Sequence, residues 1–259
     1  MNMLRQAWQA VCDRLVSVSP RSFLNSLRKN HFDYVAREFN RPHAHAWSQF
    51  VTPPQMDRFE DVVALFALSP LNRGIIRQDF DEAAALFRVV RSLESPCGVE
   101  IGRFSGGSTL LLAVAVGAAG TVVSIDIAPQ DDASLERVLR EAQLRDRVEL
   151  IVADANVVER TESFDFAFID ADHSYQAAKR DHNRWGRRVR PGGFLIHHDM
   201  GSGRALSTQW ADLARLRSEI LACQRHELEL VEEAGSMTIF RRISDSWTEL
   251  EGHVPTHEA

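Results

Sequence analysis

Two groups of residues in this 259-residue chain have the types and spacing to do chemistry. The first is Glu100-Ile101-Gly102-Arg103-Phe104-Ser105-Gly106-Gly107-Ser108, with Asp126 further on. Glycines let a backbone approach a ligand closely, and a helix N-terminus offers free N–H groups. An acid at the end of the next strand can accept hydrogen bonds from a ribose diol. The pair therefore points to a cradle for something that carries a nucleoside. The second group is Asp154, Asp170-Ala171-Asp172-His173 and His197-His198-Asp199, each directly after an apolar run. One such acid is an ordinary turn residue. Five consecutive strand ends carrying polar side chains are hard to explain by turns alone, because ligands of open α/β sheets sit beyond the carboxyl ends of the strands.

The elements that must position these residues follow from pattern. Val99–Ile101 reads as a short strand, the glycines as a loop, and Leu110–Ala119 as an apolar helix. Further strands are expected at Thr121–Asp126, Val148–Ala153, Phe164–Ile169 and Phe194–His197, the last entered by a turn at Pro191-Gly192-Gly193. Helices are expected at Asp81–Leu93, with Ala84, Ala85, Phe87, Val90 and Leu93 inward, and at Ser134–Gln143, Ala177–Val189 and Trp210–Cys223. The connection Asn156–Ser163 is short and polar. Glu227–Val231 and Met237–Arg241 flank Glu232–Ser236 as an antiparallel hairpin. Ahead of the cradle, Leu4, Trp8, Val11 and Leu15 fall at helical spacing, as do Phe23, Leu27, Phe32, Val35 and Phe39. Asp57–Leu68 reads as a third helix with Phe59, Val62, Val63 and Phe66 inward. His43 and His45 sit in a proline-flanked loop and read as solvated.

The expected fold is α/β: a Rossmann-like, doubly wound, mostly parallel sheet with a C-terminal antiparallel hairpin and an N-terminal helical extension. The expected divisions are 1–80 for the helical cap, 81–243 for the ligand-binding domain and 244–259 for a mobile tail. A dinucleotide loop would read G-x-G-x-x-G; this one reads Gly102-x-x-x-Gly106-Gly107, led by Glu100. In that form, E-x-G-x-x-x-G-x-S, it resembles motif I of class I S-adenosylmethionine (SAM) methyltransferases. The segments Phe168–Tyr175 and Pro191–Asp199 add a resemblance to the metal-dependent O-methyltransferases typified by the catechol and caffeoyl-CoA enzymes. They also resemble the macrocin O-methyltransferases and their D-x-D-H-S-Y relatives. The resemblance runs from about Arg77 to Ile243.

The resemblance implies a role for each matching position. Glu100, Gly102, Phe104, Gly106 and Ser108 would hold the methionine part and ribose of SAM, and Asp126 the ribose hydroxyls. Asp154 and Ala155 would lie beside the adenine. Asp170 would border the cofactor and be the first metal ligand, with His198 and Asp199 completing the set. Those enzymes have Asp-Asn where this chain has His198-Asp199, and a lysine base where it has His173. An imidazole with an ordinary pKa near ~6.5 is already a base at neutral pH. A bound divalent cation, Mg²⁺ or Mn²⁺, would acidify and orient the acceptor hydroxyl. His198 as a ligand suits Mn, Fe or Zn better than Mg.

The implied function is SAM-dependent O-methylation of a small-molecule hydroxyl on a secondary metabolite, sugar or phenol, with His173 as general base. Three alternatives stand beside it. One is a metal-free O- or N-methyltransferase. Another is an oxygenase like the cephalosporin hydroxylase group, which Gly74–Gln78 and Gly106-Gly107-Ser108 resemble. The last is a degenerate scaffold that binds only partners. The net charge of −6 and the lack of a basic, aromatic stripe speak against nucleic acid. Three scattered cysteines give no zinc or disulfide framework, which fits a reducing cytoplasm. The N-terminus lacks the apolar core of a signal peptide, and the longest apolar run, from Leu110, is too short to span a bilayer. The apolar N-terminal region makes a homodimer an expectation.

Overall fold

The computed structural model describes residues 47, 52–53, 55–65, 67–69, 72–73, 75–202 and 210–251. The chain divides into two compact units, one of residues 1–43 with 69–73 and one of residues 44–68 with 74–259. The first unit is described only at Ser69 and the short strand Asn72–Arg73. The helices expected around Leu4–Leu15 and Phe23–Phe39, and His43, lie outside the described residues; so does His45 of the second unit.

The second unit is built on a seven-stranded sheet. Its strands are β1 (Cys97–Ile101), β2 (Thr121–Asp126), β3 (Val148–Val152), β4 (Phe164–Ile169), β5 (Val189–His197), β6 (Leu228–Ala234) and β7 (Met237–Arg242). Their order is β3-β2-β1-β4-β5-β7-β6. β1 to β5 run parallel, and β7 pairs antiparallel with both β5 and β6, so the expected doubly wound sheet with a closing hairpin is present. The helices are α1 (Phe80–Arg91), α2 (Gly107–Ala115), α3 (Asp132–Glu141), α4 (Tyr175–Gly186) and α5 (Ala211–Cys223).

Strand alternation splits the core into two layers. Phe166, Phe168, Ile196 and Ile239 face α1, α2 and α3. Val99, Ile101, Ile125, Ile169 and Leu195 face α4 and α5. Both sheet faces are therefore covered, and the central strands read as apolar runs. Each fully buried Phe of β4 stabilises the fold by roughly 1.5–3 kcal/mol.

Several boundaries differ from expectation. The segment 57–68 forms a 3-10 helix at Phe59–Leu65 rather than a full α-helix, and Val63 is 42% exposed. On α1 the buried side is Glu82, Ala83, Ala85, Leu86, Val89 and Val90, so Ala84 and Phe87 are only partly covered. α2 starts at Gly107 and ends by Ala115, earlier than its apolar run suggests. α4 stops at Gly186, and β5 begins at Val189, so Pro191-Gly192-Gly193 lies inside the strand, where its pairing with β4 shifts register. The tail is pinned as far as Glu251. Arg242 donates to the carbonyls of Ser244 and Asp245, Asn183 bonds both ways with Leu250, and Leu250 is buried. Residues 252–259 lie outside the described residues. No helix among the described residues is long and apolar enough to cross a membrane.

The sheet order reverses between β1 and β4. A crevice opens at such a point beyond the strand ends, because the two connections leave on opposite faces.

Candidate active site

Strand register brings the expected residues side by side. Beyond the formal strand ends the ladder continues. Gly102 N–H donates to Ile125 O at 2.8 Å, Asp170 N–H to Ile101 O at 2.9 Å, and His198 N–H to Ile169 O at 3.1 Å. Gly102 has a φ of +87°, and a Cβ there would stand 2.2 Å from the Asp170 carbonyl oxygen. Only glycine allows that loop to pass so close to Asp170.

The glycine loop is locked from behind. Asp126 Oδ2 accepts the N–H groups of Arg103 (2.8 Å) and Phe104 (2.9 Å), and Oδ1 accepts that of Ala128 (2.7 Å). The Arg103 side chain is buried and forks onto Asp132, with bonds of 2.8 and 2.6 Å, while Nη1 reaches the carbonyls of Ser124 and Ile151. Glu100 was expected to touch the ligand but is fully buried behind the loop. It accepts the hydroxyls of Ser108 (2.5 Å), Thr109 (2.6 Å) and Ser124 (2.5 Å). Its side chain lies on the α2 face of β1, because neighbours in a strand alternate. Burial pushes its carboxyl up to about 7 against the pull of those hydroxyls. Glu100 thus braces the loop from behind.

In front of the loop lies a cleft of about 430 Å³. Gly102, Phe104, Asp126, Asp154, Ala155 and Asp170 all line it. Asp154 Oδ1 caps the next turn by accepting Asn156 N–H at 2.8 Å. Gly106 is the N-cap of α2 and Ser108 its second residue; both stand behind the cleft, Ser108 at a side recess. Asp181, on α4, also lines the cleft and had no motif to reveal it. It is 4% exposed, accepts Asn156 Nδ2 at 3.2 Å, and burial raises its carboxyl to about 6.

Asp170, on the cleft wall, also belongs to the second group. His173 Nε2 is 3.5 Å from Asp199 Oδ2 and 3.8 Å from Asp170 Oδ1. Those three residues can each offer one ligand atom, all within 4.8 Å of one another. His173 Nε2 is buried and has no hydrogen-bond partner. Its ring meets the Trp210 ring edge-on, with centroids 4.7 Å apart. Asp172 turns away and accepts the Ser174 N–H instead. Asp199 has a φ of +58°, a conformation that Asp tolerates better than most side chains.

His198, expected as a metal ligand, has carboxylates facing both ring nitrogens. Nδ1 is 3.2 Å from Asp170 Oδ1 and 3.4 Å from Asp199 Oδ2, and Nε2 is 3.1 Å from Glu82 Oε2. Burial alone would lower its pKa, but Asp170, Asp199 and Glu82 raise it well above the ordinary value. In turn, burial would raise the Asp170 carboxyl, yet His198 and His173 hold it well below the usual carboxylate range. Glu82 is 1% exposed and fully engaged, since Oε1 accepts both Ser236 N–H and Ser236 Oγ–H at 2.6 Å. Against its burial, His198 and Ser236 bring its carboxyl down to about 2. Sequence reasoning missed Glu82. The one available signal was an acid four residues before Leu86 on the buried side of α1. His197, read as a buried partner, bonds His182 at 3.0 Å inside the core.

A family model described as a methyltransferase domain matches residues 99–200. Tricin synthase 1 of Oryza sativa subsp. japonica is 27% identical over 195 residues, which is 66% of this chain and 76% of the rice protein. Caffeoyl-CoA O-methyltransferase 2 of Zea mays is 28% identical over 157 residues, 58% of each chain, so the match spans less than two thirds of the maize enzyme. Among solved structures, an O-methyltransferase from Bacillus cereus in complex with S-adenosylhomocysteine (SAH) superimposes with a TM-score of 0.53 at 23% identity. That likeness covers 64% of this chain and 82% of the other, and it is one of fold.

Proposed function

We propose that this chain, which is similar to the caffeoyl-CoA O-methyltransferases, is a class I SAM-dependent methyltransferase that methylates a small-molecule hydroxyl beside a divalent cation held by Asp170 and Asp199. The observation that carries the reading is the Asp170–His173–Asp199 cluster, which shares Asp170 with the cleft in front of the glycine loop. Two carboxylates suit a hard divalent cation, Mg²⁺ or Mn²⁺, and the unpartnered, buried imidazole nitrogen of His173 beside them is placed to accept a proton.

The residues divide the work. The loop from Gly102 to Ser108 carries the donor along its backbone. Asp126, whose Oδ1 accepts only the Ala128 N–H and keeps acceptor capacity, receives the ribose hydroxyls, and the Asp154-Ala155 turn borders the adenine. Gly102 and Asp170, in backbone contact, set where the donor meets the acceptor. The donor supplies a sulfonium whose methyl group needs in-line alignment, so positioning dominates over covalent catalysis. A bound cation would supply Lewis acidity that lowers the pKa of the acceptor hydroxyl. His173 Nε2 takes the hydroxyl proton, with its ring held by the edge contact to Trp210. The imidazolium so formed is stabilised by Asp170 and Asp199, 3.8 and 3.5 Å away. His198, paired with Glu82, steadies both aspartates from behind.

A second reading makes His173 the third ligand rather than the base. Its partnerless Nε2 inside the cluster favours this. His173→Ala separates the two: a base is needed for turnover but not for cation affinity, whereas a ligand is needed for both.

The experiment is incubation with SAM, Mn²⁺ or Mg²⁺ and a panel of sugar, macrolide and phenolic hydroxyl compounds, read by mass. Gain of one methyl group that a chelator abolishes is expected. Methylation indifferent to chelator leaves the metal-free alternative standing. Gain of an oxygen atom in place of a methyl group overturns the proposal in favour of oxygenase chemistry.

A further inference from the structure

His173 lies on the short loop between β4 and α4. The β4 side of that loop is fixed by Asp170 N–H, which donates to Ile101 O at 2.9 Å. The α4 side lacks the usual device. Ser174 is the N-cap of α4, but its side chain makes no capping hydrogen bond. The first N–H groups of a helix have no partner inside it. Here the N–H of Tyr175, the first residue of α4, donates to Asp212 Oδ2 of α5 at 3.0 Å. The helix dipole favours a carboxylate at that end. Asp212 is one of three contacts made by a single face of α5, because 212, 215 and 219 fall at i, i+3 and i+7. The Arg215 guanidinium lies over the Tyr175 ring, 3.9 Å from its centroid. Glu219 accepts the Tyr175 hydroxyl on one oxygen and Lys179 Nζ on the other. Tyr175 is buried, and one helix thus holds its backbone, ring and hydroxyl. Trp210, the N-cap of the same helix, meets the His173 ring edge-on.

We infer that the start of α5 positions His173 for the reaction, with Asp212 as the positioning residue. The inference rests on His173 acting at the acceptor hydroxyl, as proposed above. Tyr175 is two residues from His173, so a shift at the start of α4 carries the imidazole with it. Without Asp212, the Tyr175 N–H loses its acceptor, and the loop is held firmly only on its β4 side. The Asp212 position is exposed, so truncating its side chain leaves no cavity in the core. Neither Asp212 nor Tyr175 lines the cleft in front of the glycine loop. The loss therefore falls on turnover and spares cofactor binding. Misplacing a reacting group by about 1 Å can cost about a hundred-fold in rate.

The test measures methyl transfer by the full chain with SAM, Mn²⁺ and the panel of hydroxyl compounds, on whichever compound wild type methylates fastest. Calorimetric titration with SAH runs beside it. Asp212→Ala should lower kcat about ten- to a hundred-fold and keep SAH affinity within about twofold of wild type. Asp212→Asn keeps an oxygen that can accept the Tyr175 N–H, and it should restore most of the rate. A residue that only supports the fold would lower SAH affinity and turnover together. The inference is overturned if Asp212→Ala turns over like wild type, or if it loses SAH affinity to the same extent as kcat. It is also overturned if Asp212→Asn is no faster than Asp212→Ala. Failure of wild type to methylate any compound of the panel counts against the proposed function itself, and the inference falls with it.

Discussion

Glu82 and His198 stand 116 residues apart in sequence, and their side chains meet at 3.1 Å in the buried wall behind the site. The contact ties α1, an element ahead of the first sheet strand, to the end of β5. Ser236, in the turn between β6 and β7, closes the group: its N–H donates to Glu82, and its hydroxyl stands 2.6 Å from Glu82 Oε1 and 3.2 Å from Asp199 Oδ1. Asp170 and Asp199 therefore owe their placement to two elements besides their own strands, α1 and the β6–β7 turn.

Replacing Glu82 with Ala should destabilise the fold by roughly 3–5 kcal/mol, because it leaves a buried imidazole facing an empty space. Urea unfolding followed by tryptophan fluorescence measures this. Glu82→Gln, which keeps an oxygen for Ser236, should cost less. Equal stability of Glu82→Ala and wild type would show that the pair contributes nothing.

Gly102→Ala should abolish cofactor binding. Its Cβ would lie 2.2 Å from the Asp170 carbonyl oxygen, and its φ of +87° disfavours any side chain. The methyl group must push the loop away from β4, which opens the crevice where donor and acceptor meet. Titration with SAH is expected to give no measurable heat for this variant and a clear isotherm for wild type.

Glu100 predicts an alkaline sensitivity. Its folded pKa of about 7 lies above the ordinary 4.5. The unfolded chain releases this proton first, so the stability from the protonated form is complete below about pH 4.5 and is lost as pH rises through about 7. Glu100→Gln carries no such proton. Its stability relative to wild type should therefore improve by about 2–3 kcal/mol between about pH 5 and pH 8. Paired urea melts at both values check the sign.

Much of this was legible in the sequence. The glycine spacing after Val99, the acids at Asp126, Asp154 and Asp170, and the late hairpin are local patterns, and each turned up at a strand end or in the expected pairing. What local pattern could not supply is the reach of side chains across the fold. Glu82 sits on an otherwise apolar helix face, and it matters only because β5 ends beside it. Glu100 carried the motif but faces the core, since alternation along β1 sends it to the side opposite Ile101. His198 occupied the right position, but a glutamate from α1 engages its far nitrogen. The register of β5 was also hidden, because Pro191-Gly192-Gly193 reads as a turn and is absorbed as a strand irregularity.

His182 predicts the opposite pH dependence. It is buried between His197 (3.0 Å) and Gln224 (2.7 Å), and burial lowers its pKa to about 4. The unfolded chain binds this proton more readily, so the stability of the neutral form is complete above about pH 6.5 and is lost as pH falls toward about 4. His182→Asn removes the effect. Its stability relative to wild type should improve by about 2 kcal/mol on going from about pH 7 to pH 5. Chemical unfolding at both values measures the difference.

The central claim is that Asp170 and Asp199 hold a divalent cation next to the methyl donor. Titration of SAH-saturated protein with Mn²⁺ tests it most directly, with wild type compared against Asp170→Asn and Asp199→Gly. Glycine at 199 keeps the positive φ free of strain while removing the carboxylate. The account predicts one cation site in wild type, lost in both variants while each still binds SAH. No cation binding by wild type, or unchanged binding in both variants, would contradict it.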